Sequence, residues 1–193
     1  MVVDSVEGDT RPLSGARRAW LATGIAIPLH AMLALILGSA ASAIFGALVT
    51  DPTGDELVLV SGVFVAIEHI LTVVLGIVLA VHTVGRWLDA RTRDWEARRA
   101  AWRFAALGAA LSLLPGAIFF VDGQYPLANA VLVLVGLTVP FAATAGLTRL
   151  IMPLVEDGQR PRLVWGLAIA AVILTVIFAA VVILGVPILG LGS

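Results

Sequence analysis

The sequence predicts an all-α integral membrane protein: a bundle of five transmembrane helices, with a cytoplasmic N-terminus and an extracytoplasmic C-terminus. Of its 193 residues, 60% are hydrophobic and only 13% are charged, and the mean hydropathy is +1.05. A water-soluble domain of this length needs a more polar surface than these charges supply. Five apolar stretches each reach the length of about 20 residues that crosses a bilayer. All 12 arginines fall at the ends of these stretches, or next to them, on one side.

The predicted spans follow from the positions of the polar stretches. A cytoplasmic tail, 1–18, precedes a single transmembrane domain, 19–193. The five spans cover residues 19–49, 57–86, 101–121, 127–152 and 163–190. Two of the connections, TDPTGDE and DGQYP, are rich in Asp, Pro and Gly and contain no arginine. This composition is typical of tight turns.

The arginines predict the orientation of the chain. The N-terminal tail, the loop RWLDARTRDWEARRAAWR and the segment 149–162 hold three, six and three of them. Because cytoplasmic loops carry the excess of Lys and Arg, we expect a multi-pass protein of the cytoplasmic (inner) membrane. The stretch ARRAWLATG with the later SAASA also resembles an export signal cleaved after Ala43. The apolar run continues beyond Ala43, which favours an uncleaved first span.

Small residues at four-residue spacing predict where helices pack closely. Helix association in lipid depends on close backbone approach, which small side chains permit. The predicted packing positions are Gly38, Ser42 and Gly46 on the first span and Gly108, Ser112 and Gly116 on the third. These surfaces serve either packing within the chain or oligomerisation. Pro28, Pro115 and Pro140 lie within three spans and predict local departures from a regular helix.

Ionisable residues within the spans are the candidate functional site, because burying such groups in a bilayer is costly. The residues of this candidate proton or ion path are Glu68, His69, His30, His82, Thr72 and Ser61. On a helical wheel Ser61, Glu68, Thr72 and His82 of the second span lie within about 80° of one another and form a polar stripe. His69 lies about 100° from Glu68 and therefore points to another face. The simpler interpretation is a set of hydrogen bonds between helices.

Several chemistries have no support in the sequence. The chain has no cysteine and no lysine, and its three histidines are too few for two bis-histidine haems. No metal-binding spacing and no glycine-rich phosphate motif is found. The net charge of −1 gives no general attraction to nucleic acid. We therefore predict no catalytic residue, metal, cofactor or nucleic-acid partner.

The function that fits these observations is that of a non-enzymatic small subunit or accessory component of a membrane assembly. Its partners would be the lipid bilayer and other membrane subunits or a second copy of the chain. One alternative is a small proton- or ion-coupled permease that uses Glu68 and the nearby histidines. Another is a membrane cytochrome that holds a single haem between two histidines.

Overall fold

The computed structural model describes residues 15–49, 75–120, 125–156, 162, 164–174 and 176–177, without the side chains of 118 and 119. The described residues are almost entirely helical, and none of them lies in a β-strand. The helices are α1 (Gly15–Leu48), α2 (75–92), α3 (Ala97–Gly116), α4 (Pro126–Glu156) and α5 (Val164–Leu174). All five overlap the predicted spans. α1 begins at Gly15 rather than at residue 19, and therefore includes Arg17 and Arg18.

Two helices contain π-helical segments. In α2 the segment is Val81–Gly85, followed by regular helix over Arg86–Thr92. In α4 it is Leu132–Thr138, which ends two residues before Pro140. A proline has no N–H to donate to the carbonyl four residues earlier, and its ring crowds that carbonyl. The wider π turn is therefore where Pro140 is expected to disturb the helix.

Pro28 and Pro115 differ in how the helix continues around them. Pro28 lies inside α1, which is assigned as one continuous helix. Pro115 lies near the end of α3, where the helix tightens into a 3₁₀ turn over Ala117–Phe120. That turn ends the helix before the connection to α4.

Helix α4 lies between α1 and α3 and packs against both. Each neighbour runs antiparallel to it, because residues late in α1 or α3 contact residues early in α4. In α1, Ala41 lies against Gly136 and His30 lies against Thr144. α2 packs against α1, where Ala26 and Ile77 form one apolar cluster. α5 contributes Val164 and Leu167 to a second cluster around Ile25, Met152 and Val155.

The contact between α3 and α4 uses small residues. A Cβ added at Gly108 would lie 2.4 Å from the carbonyl oxygen of Phe141, and one at Gly116 would lie 2.8 Å from Val133 Cγ1. From the opposite helix, a Cβ at Gly146 would lie 3.3 Å from Ala105 Cβ. Backbones this close leave no room for larger side chains.

A hydrogen bond joins the two helices at the same face. Ser112 Oγ lies 2.7 Å from the Ala109 carbonyl oxygen and 3.0 Å from Thr138 Oγ1. Because a hydroxyl has one hydrogen, Ser112 donates to Ala109 and accepts from Thr138. The buried Ser112 hydroxyl is thereby satisfied as both donor and acceptor.

Apolar side chains cover much of the outer surface. By length and composition, α1 and α4 are candidate membrane-spanning helices, and α5 is apolar but shorter in its described part. Only 6% of the apolar window of α1 is buried inside the protein. Leu114 on α3 is 76% exposed and Trp165 on α5 is 72% exposed. Long apolar helices with this exposure are typical of contact with lipid.

Candidate functional site

A cavity of about 760 Å³ lies among α1, α2, α3 and α4. Its wall is mainly apolar and includes Ala22, Ala26, Leu111, Phe141 and Met152. The volume falls within the range of about 300–1,000 Å³ that is typical of small-molecule sites. The cavity extends along α1 from Arg18 to His30, a distance of about 18 Å at 1.5 Å per residue.

Ion pairs join three helix ends at one end of this cavity. Arg18, near the start of α1, pairs with Glu156 at the end of α4. Its Nη1 also lies 3.5 Å from Asp89 Oδ2 near the end of α2. Arg149 Nε lies 3.9 Å from the other oxygen of Asp89. We call Arg18, Asp89, Arg149 and Glu156 the charged cluster.

Two neighbouring residues of α4 present unsatisfied polar atoms at this end. Thr148 and Arg149 both line the cavity and are each only 7% exposed. Neither Thr148 Oγ1 nor Arg149 Nε makes a hydrogen bond. Buried polar atoms are normally paired, and an unpaired one costs about 1–3 kcal/mol. The site therefore has unused hydrogen-bonding capacity that a ligand or water would satisfy.

The charge around the cavity is predominantly positive. Arg86 and Arg93 line it in addition to Arg18 and Arg149, whereas Asp89 is the carboxylate among the described lining residues. Arg86 and Arg93 are exposed, so solvent screens them more than the buried Arg149. With Glu156 of the charged cluster included, four arginines face two carboxylates, which favours an anion at this end of the cavity.

His30 lines the cavity wall farther from the charged cluster than Thr148 does. It is 4% exposed, and its Nδ1 lies 3.3 Å from Thr144 Oγ1 on α4. Its ring packs edge-on against Phe141, with the centroids 4.6 Å apart. These contacts fix the imidazole between α1 and α4.

His82 lies in different surroundings. Its ring packs edge-on against Trp20 at 4.6 Å, within the π segment of α2, and it does not line the cavity. Its Nε2 is buried and makes no hydrogen bond. Trp20 precedes His30 by ten residues on α1. The structure therefore does not bring His30 and His82 together.

The other members of the candidate path, Ser61, Glu68, His69 and Thr72, lie outside the described residues. Over the part of the chain that the structure describes, no group of three or more His, Cys, Asp or Glu side chains is placed to hold a metal ion.

The predicted packing positions differ in their surroundings. Gly108, Ser112 and Gly116 face α4. A Cβ at Gly38 or Gly46 would meet nothing within 4 Å, and Ser42 is exposed. α1 approaches α4 at Gly136, where an added Cβ would lie 3.3 Å from Ala41 Cβ and 3.8 Å from the Gly38 Cα.

Arg149 is not among the predicted site residues, although its position in the sequence indicates a functional role. Arg149 falls inside the span predicted over 127–152, between apolar residues in GLTRLIMPLVE. A charged residue inside an apolar stretch calls for a partner or a function. The positive-inside rule, by contrast, uses Arg149 only as a determinant of orientation.

No protein-family model matches this sequence, and no curated protein and no solved structure is similar to it. The action of the site is therefore inferred from its geometry and its charges.

Proposed function

We propose that the chain is a five-span protein of the cytoplasmic membrane, with its N-terminus in the cytoplasm and its C-terminus outside. The charged cluster supports this orientation, because it places arginine-bearing ends of α1 and α4 beside the end of α2. α3 begins at Ala97, shortly after α2 ends, and adds Arg98, Arg99 and Arg103 near that same end. Arginines gathered at one end of a helix bundle match the positive-inside rule.

Aromatic contacts in the same region support a membrane interface. Arg91 lies over the Trp87 ring at 4.0 Å, and Arg99 lies over the Trp95 ring at 4.9 Å. Tryptophan and arginine together are favoured at the level of the lipid headgroups.

The orientation is tested by labelling single cysteines, because the natural chain has none. Ala97→Cys marks the arginine-rich side and Tyr125→Cys the opposite side, and both positions are exposed. In intact cells a membrane-impermeant maleimide should label position 125, and should label position 97 only after permeabilisation. Equal labelling of both positions in intact cells would contradict the topology.

We propose that the protein functions by binding a small amphipathic molecule in the cavity, without chemical change. One observation carries this proposal: an apolar cavity of about 760 Å³ ends at buried polar atoms that have no hydrogen-bond partner. Such a combination of an apolar wall and a few convergent polar groups is typical of ligand sites. Binding requires only the groups that the cavity already presents.

The test is a fluorophore placed in the cavity of the protein in nanodiscs. Ala145→Cys puts an environment-sensitive dye on the cavity wall, and Leu154→Cys puts it on an exposed position of the same helix. Dodecyl amphiphiles should change the emission at position 145 in a saturable way, and should not do so at position 154. An identical response at both positions would indicate partitioning into lipid and would count against the cavity.

The accessory subunit and the permease differ in the fate of the bound molecule. An accessory subunit would retain the molecule beside a partner, and a permease would move it across the bilayer. The position of His30 on the cavity wall favours proton coupling as the second candidate. Proton-dependent uptake into proteoliposomes, abolished by His30→Gln in a protein that still folds, would support the permease. Absence of uptake by the unaltered protein would reject it.

A further inference from the structure

We propose that the ligand of this cavity is an amphipathic anion with a single alkyl chain. Its anionic group binds Arg149 and Thr148, and its chain follows the apolar wall past His30 toward Leu137. This inference rests on the proposed ligand-binding function and names the chemical class of the ligand.

The environment of Arg149 is the first reason to infer an anionic ligand. It is more than nine-tenths buried, it lines the cavity, and its Nε makes no hydrogen bond. Its nearest carboxylate oxygen, on Asp89, lies 3.9 Å away, beyond the usual hydrogen-bond distance. The positive charge of a buried guanidinium without a close carboxylate is incompletely neutralised. A carboxylate or phosphate would supply short, charge-assisted hydrogen bonds to it.

The sharing of Asp89 between two arginines is the second reason to infer an anionic ligand. Asp89 lies near both Arg18 and Arg149, so one carboxylate is shared by two guanidinium groups. Arg18 has a second acid in Glu156, whereas the ion pair of Arg149 is the long contact to Asp89. An added anion therefore gains most at Arg149. Thr148, one residue away, adds a hydroxyl whose oxygen makes no hydrogen bond.

The shape of the cavity indicates the alkyl chain. Beyond the charged cluster the wall is formed by apolar residues such as Ala22, Leu111 and Met152. Along α4 the wall runs from Arg149 to Leu137, about 18 Å at 1.5 Å per residue, which accommodates one extended dodecyl chain. The cavity volume of about 760 Å³ lies within the range of small-molecule sites. Burial of the chain supplies affinity, and the anionic group fixes its direction.

The experiment separates the contributions of the anionic group and of the alkyl chain to binding. It uses the protein in nanodiscs of neutral phosphatidylcholine, with the dye at position 145. The probes are dodecyl phosphate, dodecanol and inorganic phosphate. We expect dodecyl phosphate to bind about tenfold or more tightly than dodecanol, because the charge-assisted hydrogen bonds are made only by the anion. Inorganic phosphate should give no response at concentrations that saturate with dodecyl phosphate.

Variants assign the preference to Arg149. Arg149→Gln should lower the preference for the anion about tenfold. Arg91→Gln removes the same charge from an arginine that stacks on Trp87 outside the cavity, and should leave the preference unchanged. If Arg149→Gln does not fold, Thr148→Val tests the same site and should weaken dodecyl phosphate about threefold while leaving dodecanol unaffected.

The outcomes separate this inference from the proposed function. Equal affinity for dodecanol and dodecyl phosphate in the unaltered protein would overturn the inference while leaving ligand binding intact. No saturable response to either amphiphile would overturn both. A signal that follows the phosphatidylglycerol content of the nanodisc and ignores dodecyl phosphate would assign the site to a bilayer lipid, and would also overturn the inference. An equal loss in Arg91→Gln and Arg149→Gln would show an effect of surface charge alone, which contradicts a site at Arg149.

Discussion

Gly108 of α3 lies against the backbone of Phe141 in α4, so closely that a Cβ at position 108 would come within 2.4 Å of the Phe141 carbonyl oxygen. The obstructing atom belongs to the backbone of a packed helix and cannot rotate away. The two helices must separate if residue 108 gains a side chain. This contact therefore holds α3 and α4 at their observed distance.

We predict that Gly108→Ala destabilises the protein by about 1–3 kcal/mol, the usual cost of overpacking. Gly38→Ala is the control, because a Cβ there meets nothing within 4 Å and alanine favours a helix over glycine. Its effect should stay within about 0.5 kcal/mol or be slightly stabilising. Free energies of unfolding measured in the same detergent test both variants. Equal effects at the two glycines would show that the α3–α4 contact is not specific.

Gly116 gives a different prediction, because its neighbour is a side chain. A Cβ at position 116 would lie 2.8 Å from Val133 Cγ1. Gly116→Ala should cost about 1–2 kcal/mol, and Val133→Ala in the same chain should recover part of that loss by making room. A double-mutant cycle measures the coupling. If the two losses simply add, Gly116 and Val133 do not share the contact.

The ion pair between Arg18 and Glu156 predicts a coupling between the first and fourth described helices. Both side chains are mostly buried, so solvent screens the pair less than one at the surface. We expect Arg18→Gln and Glu156→Gln each to lower the unfolding free energy by about 1–2 kcal/mol, with a smaller further loss in the double variant. Arg91→Gln removes an arginine that stacks on Trp87, and should change stability by less than about 0.5 kcal/mol. Strict additivity of the two single losses would argue against the pair.

The contact between His30 and Thr144 predicts a loss on removal of one hydroxyl. Thr144→Val keeps the shape of the side chain and removes this contact from His30 Nδ1. His30 is only 4% exposed, so solvent replaces the lost contact poorly. The expected loss of stability is about 1–2 kcal/mol. Thr83 is the matched control, since its exposed hydroxyl donates to the Leu79 carbonyl of its own helix. Thr83→Val should leave the stability nearly unchanged. Thermal unfolding of the two variants measures the difference between their losses of stability.

The helices could be predicted from the sequence, but the cavity could not. Each described helix lies within or close to a predicted apolar span, because the length of an apolar run and the polar residues that interrupt it are local properties. Arg149 shows the limit of that reasoning. Its place in the chain indicates a cytoplasmic end, but its burial beside Asp89 depends on how α2 and α4 are placed around α1.

The small-residue ridges show the same limit. Gly38 and Gly108 belong to similar patterns, yet a Cβ at Gly108 would clash with α4, and one at Gly38 would meet nothing within 4 Å. The two described histidines of the candidate path also differ in their surroundings. His30 lines the cavity, and His82 packs against Trp20 outside it. A helical wheel shows which residues share a face, and it does not show which face meets another helix.

The sequence by itself determined the helical class, the approximate limits of the apolar segments and the segregation of the arginines. These follow from side-chain polarity and from the length of helix that a bilayer requires. The tertiary structure decided which glycines meet a neighbour, which histidine faces the cavity and which arginine is buried in the cavity wall. In an apolar chain, most faces of a helix are equally hydrophobic. The choice of contact face therefore depends on close packing among all the helices together.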